Sequence, residues 1–156
     1  MSAELSCVIV KPDGVGQALV GKILARLEEE GFRLLALRMV RPKVETMAEF
    51  YGEHRGKPFY DGLMKFMTSG PFVVTAWTGE NAIARIRALV GATDPKKAAA
   101  GTLRATWGTD NRRNLIHASD SPASGQRETA LFFTPAELAP YDPRRWAAPD
   151  MAPPVQ

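Results

Sequence analysis

Apolar residues fall into two alternating rhythms along this chain. Leu5-Ser6-Cys7-Val8-Ile9-Val10 is short and rich in β-branched residues, which predicts a buried strand stopped by Pro12 and turned by Gly14. Leu19, Val20, Ile23, Leu24 and Leu27 then recur at helical spacing, with Lys22, Arg26 and Glu28 to Glu30 on other faces, and Gly31 closes the helix. Leu34 to Val40 form a second strand, closed by Arg41-Pro42. The stretch from Glu45 to Glu53 is polar and helix-favouring, Asp61 to Met67 fits another short helix, and Gly70-Pro71 punctuates the chain before a third strand, Phe72 to Trp77. A helix starting near Glu80 buries Ile83, Ile86, Leu89 and Val90, keeps Arg85 and Arg87 on its flanks, and ends at Gly91. Ser121-Pro122 starts a further helix, since Ser can cap free backbone N–H groups and Pro suits the first helical position, and Glu128 to Phe133 read as a last strand.

With the two short helices set aside the order is βαββαβ. That is the ferredoxin-like pattern of an α+β domain: an antiparallel four-stranded sheet with helices on one face. Residues 92–113 show no sustained periodicity and are longer than most connections, which marks a functional loop. Its Arg104, Trp107, Arg112 and Arg113 give that loop anion work. Beyond Leu138 the chain turns Pro-rich and aperiodic, so we read a domain over 1–139 and an extended tail over 140–156. Tyr141 and Trp146 are costly to leave in water, and Arg144 and Arg145 beside them are suited to carboxylates on a neighbour.

Composition narrows the partners. At 156 residues, with 45% hydrophobic and 24% charged residues, the chain has the size and balance of one globular domain. A formal charge of +3 and a pI near 9.2 favour anionic ligands. No apolar run reaches the length of a membrane span, and Met1-Ser2-Ala3-Glu4 lacks the basic start and apolar core of an export signal, so a cytoplasmic protein is expected. Cys7, the single cysteine, reads as core packing within the first strand.

The candidate chemistry sits in Asn114-Leu115-Ile116-His117-Ala118-Ser119-Asp120-Ser121. There an imidazole stands where an apolar run meets small polar residues, just before a predicted helix N-terminus, which attracts anions. A packed structural histidine is the blander alternative. Gly16 to Ile23 imitates a phosphate-cradling P-loop, but Ile23 stands where Ser or Thr would hold Mg²⁺, and the strand Phe72 to Trp77 offers no Asp. One Cys and two distant His do not make a closed zinc site. Ser119, Asp120 and His117 are too close in sequence to converge as a hydrolase triad. An RNA-binding module on the same fold would need aromatics displayed on the sheet, and these strands are mainly aliphatic.

Several motifs together resemble the nucleoside diphosphate kinases. They are Val10-Lys11-Pro12-Asp13-Gly14-Val15, Lys57-Pro58-Phe59, Ser69-Gly70-Pro71, Gly101-Thr102-Leu103-Arg104 and the His117 segment, in order between about Glu4 and Leu138. The resemblance implies a ferredoxin-like sheet with an inserted helical hairpin and a long loop before the histidine. It also implies transfer of a γ-phosphoryl group from a nucleoside triphosphate to a nucleoside diphosphate, by a ping-pong route through phospho-His117. Glu128 matches the family's carboxylate on the other ring nitrogen, and Ser119 a hydroxyl of the same network. Lys11, Tyr51, Arg87, Thr93 and Arg104 match the phosphate-handling set, Lys11 and Asn114 also match sugar contacts, and Phe59 matches the aromatic on which the base stacks.

The same resemblance implies Mg²⁺ arriving mainly on the nucleotide phosphates, nucleoside di- and triphosphates as partners, and a homo-oligomer, with neither membrane nor nucleic acid as primary partner. A nucleotide- or RNA-binding regulatory module is the alternative of a different class. His54, taken as exposed beside Arg55, reads as structural. Ala118 stands where the family more usually has Gly, and Ala100 where many members have Pro. A positive φ at Ala118 would cost about 1–2 kcal/mol.

Overall fold

In the computed structural model, which describes residues 3–146, four strands form one antiparallel sheet in the order β2-β3-β1-β4. β1 (Ala3–Val10) leads through a short α1 (Pro12–Gly16) into α2 (Val20–Glu29), and β2 (Arg33–Val40) follows. The hairpin α3 (Val44–Phe50) and α4 (Tyr60–Met67) precedes β3 (Phe72–Glu80). Then come α5 (Ala82–Val90), α6 (Leu103–Trp107), β4 (Ile116–Ala118) and α7 (Pro122–Ala130). Without α1, the hairpin and α6, the βαββαβ order remains, with α7 following it.

β1 and β3 occupy the middle of the sheet and pair along their whole lengths, Cys7 opposite Ala76 and Val8 opposite Thr75. Because successive side chains alternate faces, Val8, Val10, Val73 and Trp77 meet the apolar stripes of α2 and α5 on one side. Cys7, Ile9, Phe72 and Val74 face the other way, where Met47, Phe50 and Met67 of the hairpin and Phe133 cover them. Helices therefore cover both faces rather than one. The reason lies in the inserted hairpin, whose own apolar residues need a surface to bury.

Two boundaries depart from the sequence reading. Residues 128–133 do not form the last strand: α7 runs to Ala130, and Leu131 to Phe133 close in tight turns on Glu128 and Thr129. The strand position beside β1 is filled by Ile116–Ala118, paired with Val8 to Val10. β3 also continues to Glu80, past the expected strand end at Trp77, and left-handed Asn81 makes the break before α5.

Beyond the core, the C-terminal segment returns along edge strand β2. Arg38 Nη1 donates to Phe132 O at 2.6 Å and its Nη2 pairs with Glu137 Oε2 at 2.6 Å. Tyr141 Oη donates to Leu34 O at 2.7 Å, while Arg33 donates to Tyr141 O. Arg144 pairs with Asp142 inside the tail, and Arg145 lies over the Trp146 ring. The rest of the expected tail, residues 147–156, lies outside the described residues.

Candidate active site

Every element that ends at one edge of the sheet contributes to a cleft of about 840 Å³. β1 delivers Lys11 from its C-terminal end, β4 delivers His117, and α5 delivers Arg87. The hairpin brings Tyr51 and Phe59, and the loop between α5 and β4 brings Thr93, Arg104 and Asn114. Glu128 and Ser119 stand behind His117 rather than on the cleft wall.

His117 sits opposite Ile9 in the sheet, which turns its ring toward the hairpin, where Phe50 meets it edge-on at 4.9 Å. Its Nε2 lies 2.9 Å from Glu128 Oε1. The same carboxylate oxygen accepts from Ser119 Oγ at 2.7 Å, and Ser119 Oγ accepts from the Cys7 backbone N–H at 2.9 Å. Glu128 is only 5% exposed, so this chain of bonds is shielded from water and holds the ring firmly. An acceptor at Nε2 places the ring proton there. The lone pair of Nδ1 is left as the free, basic nitrogen.

α7 supplies this arrangement from an unexpected end. Ser121 does cap the helix, its Oγ accepting from Ser124 N at 3.0 Å, yet residues 122–124 are not on the cleft wall. The anion attraction expected of that N-terminus is replaced by a carboxylate reaching back from the helix's second half. Ala118 meanwhile pairs with Val8 as ordinary strand, and the non-glycine residues at positive φ are Ala18, Asn81 and Leu115. The departure from Gly at Ala118 carries no backbone penalty.

Cations dominate the opposite wall. Lys11 Nζ donates to Asn114 Oδ1 at 2.8 Å, and burial, then the Arg104 guanidinium, pull its pKa down to about 7. Arg104 leads α6 just after its Thr102 cap and donates to three backbone carbonyls, Asn114, Gly91 and Ile116, at 3.2, 3.0 and 2.7 Å. Burial and then Arg87 lower its pKa to about 10. Arg87 is pinned to Ala118 O at 3.1 Å. Among the described residues none of these three forms a salt bridge, and Asp13 and Asp120 act on Lys11 and Arg87 only without direct pairing, so this wall suits an anion. Tyr51 is buried beside them, its hydroxyl pKa raised by desolvation and then by Glu128. Asn114 is more a brace than a free reader, because Nδ2 already donates to Thr93 O and Asn111 O.

Phe59 lies at the mouth, 45% exposed, with His54 edge-on at 5.3 Å and Lys57 over its ring. His54 is a miss of the sequence reading: it is half-buried and lines the cleft between Tyr51 and Phe59. Its position within that stretch was the available signal. Arg112 also lines the cleft, its guanidinium lying flat against Gly62 of α4. Arg113 instead pairs with Asp110 at 2.7 Å, and Trp107 packs on the core with Lys22 over its ring. Neither does the anion work expected of it. The Gly16–Ile23 imitation of a P-loop contributes nothing to this wall, since Leu19 and Ile23 are buried in the core.

Comparison with known proteins follows the same lines. A family model described as nucleoside diphosphate kinase matches residues 4–138. The nucleoside diphosphate kinase of Carboxydothermus hydrogenoformans is 50% identical over 139 residues, covering 89% of this chain and 93% of its own. That of Pelotomaculum thermopropionicum is 51% identical over 138 residues, covering 88% and 93%. Among solved structures, the Aquifex aeolicus nucleoside diphosphate kinase superposes with a TM-score of 0.85 at 44% identity, covering 88% of this chain and all of its own. A halophilic nucleoside diphosphate kinase from Halobacterium salinarum, in complex with CDP, superposes with a TM-score of 0.88 at 43% identity, covering 94% and 97%. On sequence and architecture together, the chain belongs to the nucleoside diphosphate kinase family.

Proposed function

We propose that this protein transfers the γ-phosphoryl group of a nucleoside triphosphate to a nucleoside diphosphate, in two displacements at His117 Nδ1. The observation that carries this reading is the His117–Glu128 bond at 2.9 Å, which leaves Nδ1 as the free nitrogen on a wall of unpaired cations. In the first displacement the Nδ1 lone pair forms a bond to the γ-phosphorus. The bond from that phosphorus to the β–γ bridging oxygen breaks, and the diphosphate leaves with the electron pair. Positive charge develops on the ring, and Glu128 supports it through Nε2–H while Ser119 steadies the carboxylate. An incoming diphosphate's terminal oxygen then takes the phosphoryl group by the reverse path.

Lys11, Arg87 and Arg104 neutralise charge spreading over the phosphoryl oxygens, with Tyr51 and Thr93 as hydroxyl donors beside them. Phe59 offers a π-face to the base, and stacking tolerates every base because each has a face. We assign the sugar contact to Lys11, with Asn114 bracing it through Oδ1. For Mg²⁺, the carboxylates on the wall are Asp94 and Asp120, a donor set that would suit a cation carried mainly on the nucleotide phosphates. When bound, Mg²⁺ would supply further charge neutralisation.

We further propose a homo-oligomeric, cytoplasmic enzyme. Leu37 and Met39 are exposed on edge strand β2, an apolar surface suited to a second copy. A chain with one cysteine, buried, suits a reducing compartment, and among the described residues no helix is long and apolar enough to cross a membrane.

Incubation with ATP and Mg²⁺ alone tests the mechanism. The protein should acquire an acid-labile, base-stable phosphate, and His117→Ala should lose transfer yet still bind ADP through the remaining cations. Near-normal turnover in that variant would falsify the mechanism.

A further inference from the structure

Two residues before His117 the backbone makes a tight turn. Ile116 N–H donates to Asn114 O at 2.9 Å across Leu115, whose φ is +75°. That is a γ-turn in its strained, positive-φ form, and leucine is poorly suited to it. A conformation of this kind persists only where its surroundings over-determine it. Here the clamp is visible on both sides of the peptide. Leu115 O accepts from Lys11 N–H at 2.7 Å, and Leu115 N–H donates to Asp13 Oδ2 at 3.0 Å.

Asp13 is otherwise unaccounted for. It does not line the cleft, and it forms no salt bridge among the described residues. Its Oδ1 is buried without a hydrogen-bond partner among them. Holding a carboxylate there has a desolvation cost, and burial duly raises its pKa. β4, in turn, is only three residues long, too short to fix its own orientation through sheet bonds. Its far end is tied by the Ser119 N–H to Cys7 O bond at 3.2 Å and by the Ser119 hydroxyl. The near end is held at the turn, where Arg104 takes the Asn114 and Ile116 carbonyls and the Leu115 N–H is left to Asp13.

We propose that Asp13 is a positioning residue for phosphoryl transfer: by accepting the Leu115 amide it holds the γ-turn that aims His117 into the cleft. This rests on His117 being the nucleophile. Asp13 does not line the cleft, and its pull on Lys11 is the smallest of the influences on that residue, so its loss should act mainly on the chemical step and change nucleotide affinity little. A misplacement of about 1 Å in a reacting group costs on the order of 100-fold in rate.

The test compares Asp13→Ala, which removes the acceptor, and Asp13→Ser, whose hydroxyl oxygen is one bond shorter than Oδ2, with Asp13→Asn, whose side-chain oxygen keeps it. Single-turnover phosphorylation by ATP, ADP affinity by calorimetry and thermal melting are measured on each. We expect Asp13→Ala and Asp13→Ser to slow phosphorylation roughly 30- to 100-fold with ADP affinity within about threefold of wild type. Asp13→Asn should recover most of that rate. Wild-type rates in the Ala and Ser variants overturn the proposal. So does equal impairment in Asn, which would make charge the requirement, or a loss of affinity matching the loss of rate. Failure of both the Ala and the Ser variant to fold assigns Asp13 to stability and also overturns it. His117→Ala serves as reference: if it still turns over, the functional reading has failed, independently of Asp13.

Discussion

Lys11 enters the cleft as a buried ammonium whose direct side-chain partner among the described residues is a neutral amide. Desolvation and then Arg104 bring its pKa from the ordinary 10.5 to about 7, with Asp13 pulling weakly the other way. Between those two values the unfolded chain holds a proton that the folded one has released. Stability from this residue therefore rises with pH across that window, and its burial penalty is complete below about pH 7. A bound phosphate works in the opposite direction, because it favours the charged lysine. At pH 8 the binding of ADP should take up protons, and affinity should fall as pH rises from 7 to 9. Calorimetry in two buffers of different ionisation enthalpy reads the uptake directly, and Lys11→Met should abolish it. Flat affinity without uptake would show the lysine already charged in the free protein.

At the scale of elements, α7 decides whether the carboxylate behind His117 is in place. The helix packs directly on β1 through Gly125, where an added Cβ would overlap Leu5 O. Gly125→Ala should therefore push α7 outward, costing about 1–3 kcal/mol and slowing phosphorylation as Glu128 withdraws. Gly21→Ala, in α2 with open space around the added carbon, should be neutral or stabilising by up to about 1 kcal/mol. Urea midpoints and single-turnover rates for the pair check both. The same helix shows where sequence reading stops. β1, α2, β2 and β3 declare themselves because each carries enough apolar positions for its period to be counted. In α7 the stripe is weak, and the apolar Leu131-Phe132-Phe133 that follows imitates a strand, although a tertiary contact with β1 fixes the helix. β4 has three residues, too few to show alternation. His117, Lys11 and the loop cations were legible through motifs. His54 was not, because it becomes a cleft residue only through the packing of the hairpin against the long loop, as the Arg112–Gly62 contact records, whereas Arg112 was read as an anion-handling loop residue and does line the cleft.

For the whole molecule the open question is what the C-terminal segment does, and we divide the chain after Ala139 for physical reasons. Up to Leu138 side chains still pack on the core, whereas Tyr141 and Trp146 are 39% and 51% exposed. Yet the segment is not free, since Tyr141 bonds Leu34 O and its own carbonyl takes Arg33, both on edge strand β2. Tyr141 and Trp146 stack edge-on at 6.2 Å, a small apolar patch continuing from that edge. The carboxylate partner expected for Arg144 lies inside the tail, at Asp142, so the charges hold the tail's own shape. Exposed Leu37 and Met39 lie on the same strand, and we propose that tail and edge together serve the contact with a second copy, with Trp146 as the large anchor. We expect truncation after Ala139 to lower the melting temperature and to shift dissociation to higher protein concentration. The phosphorylation rate should stay near wild type, because among the described residues no cleft residue lies beyond that point. Light scattering and melting of full-length and truncated protein over a dilution series decide the matter. Identical curves would reduce the tail to a loose cover on β2, and a loss of rate without a change in assembly would place its influence at the site instead.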